Sequence, residues 1–156
     1  DQIEAAKYLA SLDYIDADHI GIFGWSYGGF MSTLCLSKGA DVFSTAIAVG
    51  PVTNWRYYDN IYTERFLRTP DENPSGYDDN SPINFVKQLK GKYLIIHGTS
   101  DDNVHIQNTI EMVNALNDAN KQFDMHIYPN KNHSIFGGYT RFHLFNKMTL
   151  FIEENL

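Results

Sequence analysis

The run Gly24-Trp25-Ser26-Tyr27-Gly28-Gly29 constrains this chain more than any other stretch. It follows Ile20-Gly21-Ile22-Phe23-Gly24, a short apolar segment of buried-strand type, and precedes a helical run carrying Phe30, Met31, Leu34 and Leu36 up to Gly39. A G-x-S-x-G pattern between a strand and a helix has mechanical meaning, because the chain turns so sharply that the serine takes a strained backbone conformation. The flanking positions must lack side chains that would strike the strand or the helix, a need that Gly24 and Gly28 are expected to meet. The turn lifts the Ser26 hydroxyl to the carboxyl end of a sheet, beside helix N–H groups that favour developing negative charge. The backbone N–H of Tyr27 is therefore the expected oxyanion donor. A nucleotide-binding turn would also be glycine-rich, but its G-x-G-x-x-G spacing does not occur here.

The elements around this turn alternate. Ile3, Ala6, Leu9, Ala10 and Leu12 recur at helical spacing before it. After it, the apolar run Thr45–Val49 predicts a second strand, broken by Gly50-Pro51. Residues 54–80 are aromatic and charged, interrupted by Pro70 and Pro74, and too long for a plain connection, so they read as a functional excursion. Ser81-Pro82 caps a short helix, and Tyr93-Leu94-Ile95-Ile96-His97 predicts a third strand. Ile106, Ile110, Val113, Leu116 and Ala119 predict an amphipathic helix, residues 123–128 a fourth strand, and residues 139–155 a last helix. Strands separated by helices predict the α/β class, with a mostly parallel sheet and helices on both faces. Hydrophobic residues at 43% are ample for its core.

Serine alone is a weak nucleophile, so a base and a group that orients the base should follow it in the order Ser, Asp, His. Asp101 and Asp102 lie just beyond the strand ending at His97-Gly98, and the spacing does not choose between them. Of the six histidines, His19 precedes the first strand, His97 and His126 fall in strands, His105 opens a helix and His143 lies within one. Only His133 sits in a loop at the carboxyl end of the sheet. The predicted chemistry is acyl transfer, with no metal and no cofactor.

Charge narrows the partners. Twelve basic against nineteen acidic residues give a net charge of −7 without a basic cluster, which excludes nucleic acid. The single cysteine, Cys35, cannot build a disulfide framework and is expected to be a buried, inert thiol in its apolar helix. No signal peptide or apolar run of about 18 residues is present, and the chain opens on Asp1 rather than Met, so an upstream segment is expected. The compartment stays open on these grounds.

Three stretches carry a resemblance: Gly24-Trp25-Ser26-Tyr27-Gly28-Gly29, Trp55-Arg56-Tyr57-Tyr58-Asp59 followed by Tyr62-Thr63-Glu64-Arg65, and His97-Gly98-Thr99-Ser100-Asp101-Asp102-Asn103-Val104-His105. Over nearly the whole chain they resemble the dipeptidyl peptidase IV branch of the prolyl oligopeptidase family of serine peptidases. The resemblance implies an α/β-hydrolase fold, with residues 1–156 forming the C-terminal part of the catalytic domain. Earlier strands, including a tyrosine that completes the oxyanion hole, and a β-propeller that binds the substrate's free N-terminus would belong to the parent chain. It implies Ser26 as nucleophile, Asp101 as acid and His133 as base. Val52, Trp55, Tyr58, Tyr62 and Val104 would line a pocket for a penultimate proline or alanine, and Asn103 would hold the carbonyl of the substrate's second residue. A proline ring has apolar faces and no N–H, so flat aromatic walls suit it independently of the resemblance.

The implied reaction releases N-terminal dipeptides from peptide substrates through an acyl-enzyme. A tripeptidyl or acylaminoacyl peptidase, a carboxylesterase and a catalytically silent module are the alternatives. The family pattern Asp-His-Gly is replaced here by Asn132-His133-Ser134, a departure that leaves the base untouched. The resemblance also implies an extracytoplasmic or secreted location and a homodimer built on the final helix, with Ile106, Ile127 and His143 at matching positions. The sequence supports a further contact, because Phe142, Leu144, Phe145, Met148, Leu150, Phe151 and Ile152 make that helix apolar over more than one face. Either a second copy or the rest of the domain would cover it.

Overall fold

In a computed structural model that describes residues 1–156, four strands pair in the order of the chain: β1 (Gly21–Trp25), β2 (Thr45–Val49), β3 (Lys92–Gly98) and β4 (Asp124–Tyr128). All three pairings are parallel, with Trp25 opposite Val49, Val49 opposite Ile96 and Gly98 opposite Tyr128. Every residue of β2 is buried, as a continuous apolar run in a strand covered on both faces should be. β1 starts and ends one residue later than its apolar pattern suggests, because Trp25 still pairs with Val49.

Six helices precede, connect and follow the strands: α1 (Gln2–Ala10), α2 (Tyr27–Lys38), α3 (Asn60–Leu67), α4 (Pro74–Asp78), α5 (Gln107–Asp118) and α6 (Thr140–Asn155). Successive strand side chains point to opposite faces, and the core divides accordingly. Ala46, Ala48, Tyr93 and Ile95 pack with Cys35 and Leu36 of α2 and Met112 and Leu116 of α5. Ile47, Val49, Leu94 and Ile96 pack with Leu144, Met148 and Phe151 of α6. Helices therefore cover both faces. Burying one such aliphatic side chain contributes roughly 1.5–3 kcal/mol, so the two layers fix the level of each strand end against its neighbours. Cys35 is 4% exposed and burial raises its thiol pKa, in line with the inert role expected of it.

The excursion between β2 and β3 is folded rather than irregular. Asp59 caps α3 by accepting from Tyr62 N–H at 2.8 Å, and Asn73 caps α4 with Pro74 in its first turn. Arg56 grips both oxygens of Asp78 at 2.6 and 2.9 Å, and the buried Tyr77 donates its hydroxyl to Arg68 O at 2.6 Å. The helix predicted after Ser81-Pro82 is a 3-10 segment, Pro82–Gln88. In α5 the first turn departs from the apolar pattern: Ile110 is exposed, while Asn108 and Thr109 are buried. Asn108 accepts from Thr53 N–H at 2.9 Å and so ties α5 to the loop after β2. No helix is long and apolar enough to cross a membrane.

Candidate active site

Ser26 sits at φ 61° and ψ −118°, a positive-φ conformation that non-glycine residues rarely adopt. The strain is held by its neighbours: Ser26 N–H donates to Val49 O at 2.8 Å, and Ser26 O accepts the first α2 bond from Phe30 N–H at 3.1 Å. A Cβ on Gly24 would lie 1.9 Å from Gly28 O, so glycine is required there. The matching expectation for Gly28 is corrected, because a Cβ at that position meets open space. The crowded position is Gly29, where a Cβ would come within 2.9 Å of Pro51 Cα, since this side of the first α2 turn faces the end of β2. As the first helical residue, Tyr27 has an N–H with no intrahelical partner, and that N–H is available to an oxyanion.

His133 lies in the loop after β4, and three contacts fix it. Its Nδ1 donates to Asp101 Oδ2 at 2.7 Å. Its backbone carbonyl accepts from Trp25 Nε1 at 3.0 Å. Its ring covers Gly50, whose φ is +51° and where a Cβ would lie 3.1 Å from His133 Cε1. Gly50 follows the Val49 that holds Ser26, so Ser26, Asp101 and His133 gather at one corner of the sheet. The Ser26 hydroxyl is not hydrogen-bonded to His133; of the two contacts expected of His133, the structure contains the one to Asp101. Such a nucleophile–base bond commonly tightens only when substrate is bound.

The Asp101 side chain is 1% exposed and fully coordinated. Oδ1 accepts from the N–H groups of Asn103 at 3.0 Å and Val104 at 2.9 Å, while Oδ2 faces His133 Nδ1 and, at 3.2 Å, His97 Nε2. Burial works against its charge, but the bonds from His133, His97 and Val104 N–H outweigh it and hold the carboxyl well below the usual range. Asp102 is exposed, so the geometry makes the choice between the two aspartates that the spacing left open. From the sequence alone, His97 reads as an ordinary strand residue. The available signal was a polar side chain ending an apolar strand, which must find buried partners.

The aromatic residues of the excursion form a box. Trp55 meets Tyr58 edge-on at 5.8 Å and stacks on Tyr62 at 6.0 Å, and Tyr58 meets Tyr62 edge-on at 5.5 Å. Val52 and Val104 are buried behind Trp55 in one cluster with Phe30 and Tyr77. Trp55 and Tyr62 line a cleft of about 430 Å³ whose other walls include Tyr27, Leu34 and Phe66; Val52, Tyr58 and Val104 do not line it. The Tyr58 hydroxyl donates to Asn103 Oδ1 at 2.6 Å, and burial, then Asp59, Tyr62 and Asp101, raise its pKa. With Oδ1 occupied, the Asn103 amide N–H groups are left to donate. No three His, Cys, Asp or Glu side chains are grouped to hold a metal ion.

A parallel sheet covered on both faces, a strained serine between β1 and α2, and an Asp–His pair on the loops after β3 and β4 define an α/β hydrolase. The match over residues 1–156 is to the prolyl oligopeptidase family of peptidases, and the chain belongs to that family. It is 47% identical over 151 residues to the probable dipeptidyl-aminopeptidase B of Talaromyces marneffei, covering 95% of this chain and 16% of that protein. The corresponding protein of Aspergillus terreus is 50% identical over 140 residues, which is 87% of this chain and 15% of the relative. The crystal structure of Porphyromonas gingivalis dipeptidyl peptidase 4 superposes with a TM-score of 0.98 at 52% identity, covering all of this chain and 22% of that one. The chain thus spans about one-sixth of the length of the curated relatives it matches.

Proposed function

We propose that this chain carries the nucleophile, acid and base of a serine exopeptidase that releases N-terminal dipeptides with proline or alanine in the second position. The observation that carries the reading is the Asp101–His133 bond of 2.7 Å beside a strained elbow serine, with the Trp55, Tyr58 and Tyr62 box on the adjacent excursion. The similarity of this chain to proteins named dipeptidyl-aminopeptidase B and dipeptidyl peptidase 4 supports the substrate class.

In this reading Asp101 accepts from His133 Nδ1, which leaves Nε2 unprotonated and able to take the Ser26 proton. Ser26 Oγ bonds to the scissile carbonyl carbon, and Tyr27 N–H stabilises the oxyanion. Protonated His133, stabilised by the Asp101 charge, then gives its proton to the leaving amine as the C–N bond breaks. A water activated by the same histidine hydrolyses the acyl-enzyme and frees Ser26. Asn103 donates to a substrate backbone carbonyl other than the scissile one, and the ring of the second residue packs among the aromatic side chains of the excursion. The parent chain is proposed to supply further strands, a second oxyanion donor and a β-propeller that binds the substrate's amino group. It is also proposed to act outside the cytoplasm, as a homodimer.

The test is an assay of the full-length parent protein with chromogenic reporters bearing proline before the scissile bond, one pair as dipeptide and tripeptide, together with a simple ester. Release from the dipeptide reporter alone supports the proposal. Preference for the tripeptide, or ester cleavage without cleavage after proline, overturns it.

A further inference from the structure

His97, next to last in β3, is fully buried, and the reaction just described gives it no task. Its Nε2 lies 2.7 Å from Val104 O and 3.2 Å from Asp101 Oδ2, and its Nδ1 lies 2.7 Å from Thr109 Oγ1 on α5. A carbonyl and a carboxylate can only accept, so Nε2 carries a proton and points it between them. In the neutral ring Nδ1 then accepts from the Thr109 hydroxyl, which fixes this tautomer. Asp101 Oδ2 therefore faces two imidazole N–H groups: His133 from the open side of the site, 18% exposed, and His97 from the closed side.

We infer that His97 is a positioning residue for the Asp101–His133 pair. It holds the Asp101 carboxylate and the Val104 carbonyl in one frame and sets how much negative charge Asp101 presents to His133. The frame extends to two elements of the site. Val104 belongs to the cluster behind Trp55, and Asn108, next to Thr109, anchors the backbone of Thr53. With Oδ1 held by two backbone N–H groups, the His97 N–H, bonded to Val104 O at 2.7 Å and lying 3.2 Å from Oδ2, adds a close polar contact that resists turning of the carboxylate.

This inference rests on the proposed roles of Ser26, Asp101 and His133, and its test separates the two. In the full-length protein, the rate at which a fluorophosphonate labels Ser26 is measured against pH. That readout does not depend on dipeptide specificity. In His97→Asn the shorter amide still reaches Thr109 but leaves Oδ2 without its second donor. More negative charge then faces His133, and the acidic limb of the profile should move to higher pH by roughly half a unit to one unit. His97→Gln carries an amide N–H to the position of Nε2, so its profile should return to within about 0.2 unit of wild type. Thr109→Val releases the tautomer and should move the limb in the same direction by less; it carries the test if His97→Asn does not fold. An acidic limb that superimposes on wild type in His97→Asn, or in Thr109→Val where that variant carries the test, overturns the inference whatever the loss in rate, and so does a shift that His97→Gln fails to reverse. If wild-type Ser26 is not labelled at all, the hydrolase reading falls and the inference with it.

Discussion

Trp25 Nε1 donates to His133 O at 3.0 Å, so the residue preceding the elbow serine holds the loop that carries the proposed base. The two are far apart in sequence, on β1 and beyond β4, and the bond spans the carboxyl end of the sheet. Trp25→Phe keeps an aromatic ring and deletes the N–H. A net hydrogen bond is worth about 0.5–1.5 kcal/mol, so kcat/KM on a proline reporter should fall roughly 2- to 13-fold if that is lost from the transition state. An unchanged kcat/KM in a stably folded variant would remove Trp25 from the positioning of His133.

The two adjacent aspartates should behave very differently. Asp101→Asn leaves His133 Nδ1 facing an amide that can impose the wrong tautomer, and kcat should fall by about 10⁴. Asp102 is exposed, so Asp102→Asn should stay within about 2-fold of wild type. Steady-state kinetics of both variants in the full-length protein decide the assignment, and equal losses would refute it.

Asp101 also links stability to pH. Its folded pKa is depressed below the unfolded carboxylate value of about 3.9, so its contribution is fully present above that value. It is lost as pH falls below about 4 towards the folded value. The gap in Tm between wild type and Asp101→Asn should therefore shrink as pH falls below about 4. A gap that widens as pH falls below about 4 would contradict the depressed pKa.

The strand and helix pattern was legible because β2 and β3 are continuous apolar runs and the helices between strands carry apolar residues at helical spacing. The elbow was legible because Gly24 and Ser26 satisfy a local steric requirement, and its partners followed from strand order. What stayed hidden depends on contacts between distant segments. Nothing near Gly28 and Gly29 in sequence reveals that Pro51 crowds only the second. Nor does the run ending at His97 show Thr109 and the Val104 carbonyl waiting for its ring. The choice of Asp101 over Asp102 needed the family resemblance at the sequence level, whereas in the fold burial alone separates them.

The two glycines after the elbow give a direct check on this steric reading. Gly29→Ala places a methyl 2.9 Å from Pro51 backbone and should cost about 1–3 kcal/mol as a lower Tm. Gly28→Ala meets open space inside a helix, where alanine is favoured over glycine by roughly 0.5–1 kcal/mol, so Tm should hold or rise. The reverse order in thermal unfolding would mean that the α2 start is not held against Pro51.

The last helix divides more sharply than its sequence suggests. Leu144, Met148 and Phe151 are buried against β2 and β3, whereas Phe142 is 74% exposed and Phe145 50%. A charge at Phe151 would therefore unfold the core rather than probe an interface, and Phe142 is the informative position. An apolar ring this exposed on a helix already packed through its other face asks for a cover, and the proposed homodimer supplies one. In the full-length protein Phe142→Glu should then shift sedimentation from dimer towards monomer while Tm changes little beyond the loss of association. A dimer that persists with unchanged affinity would place the contact elsewhere. A variant that stays dimeric but loses several degrees of Tm would show instead that this face of α6 packs against another part of its own chain.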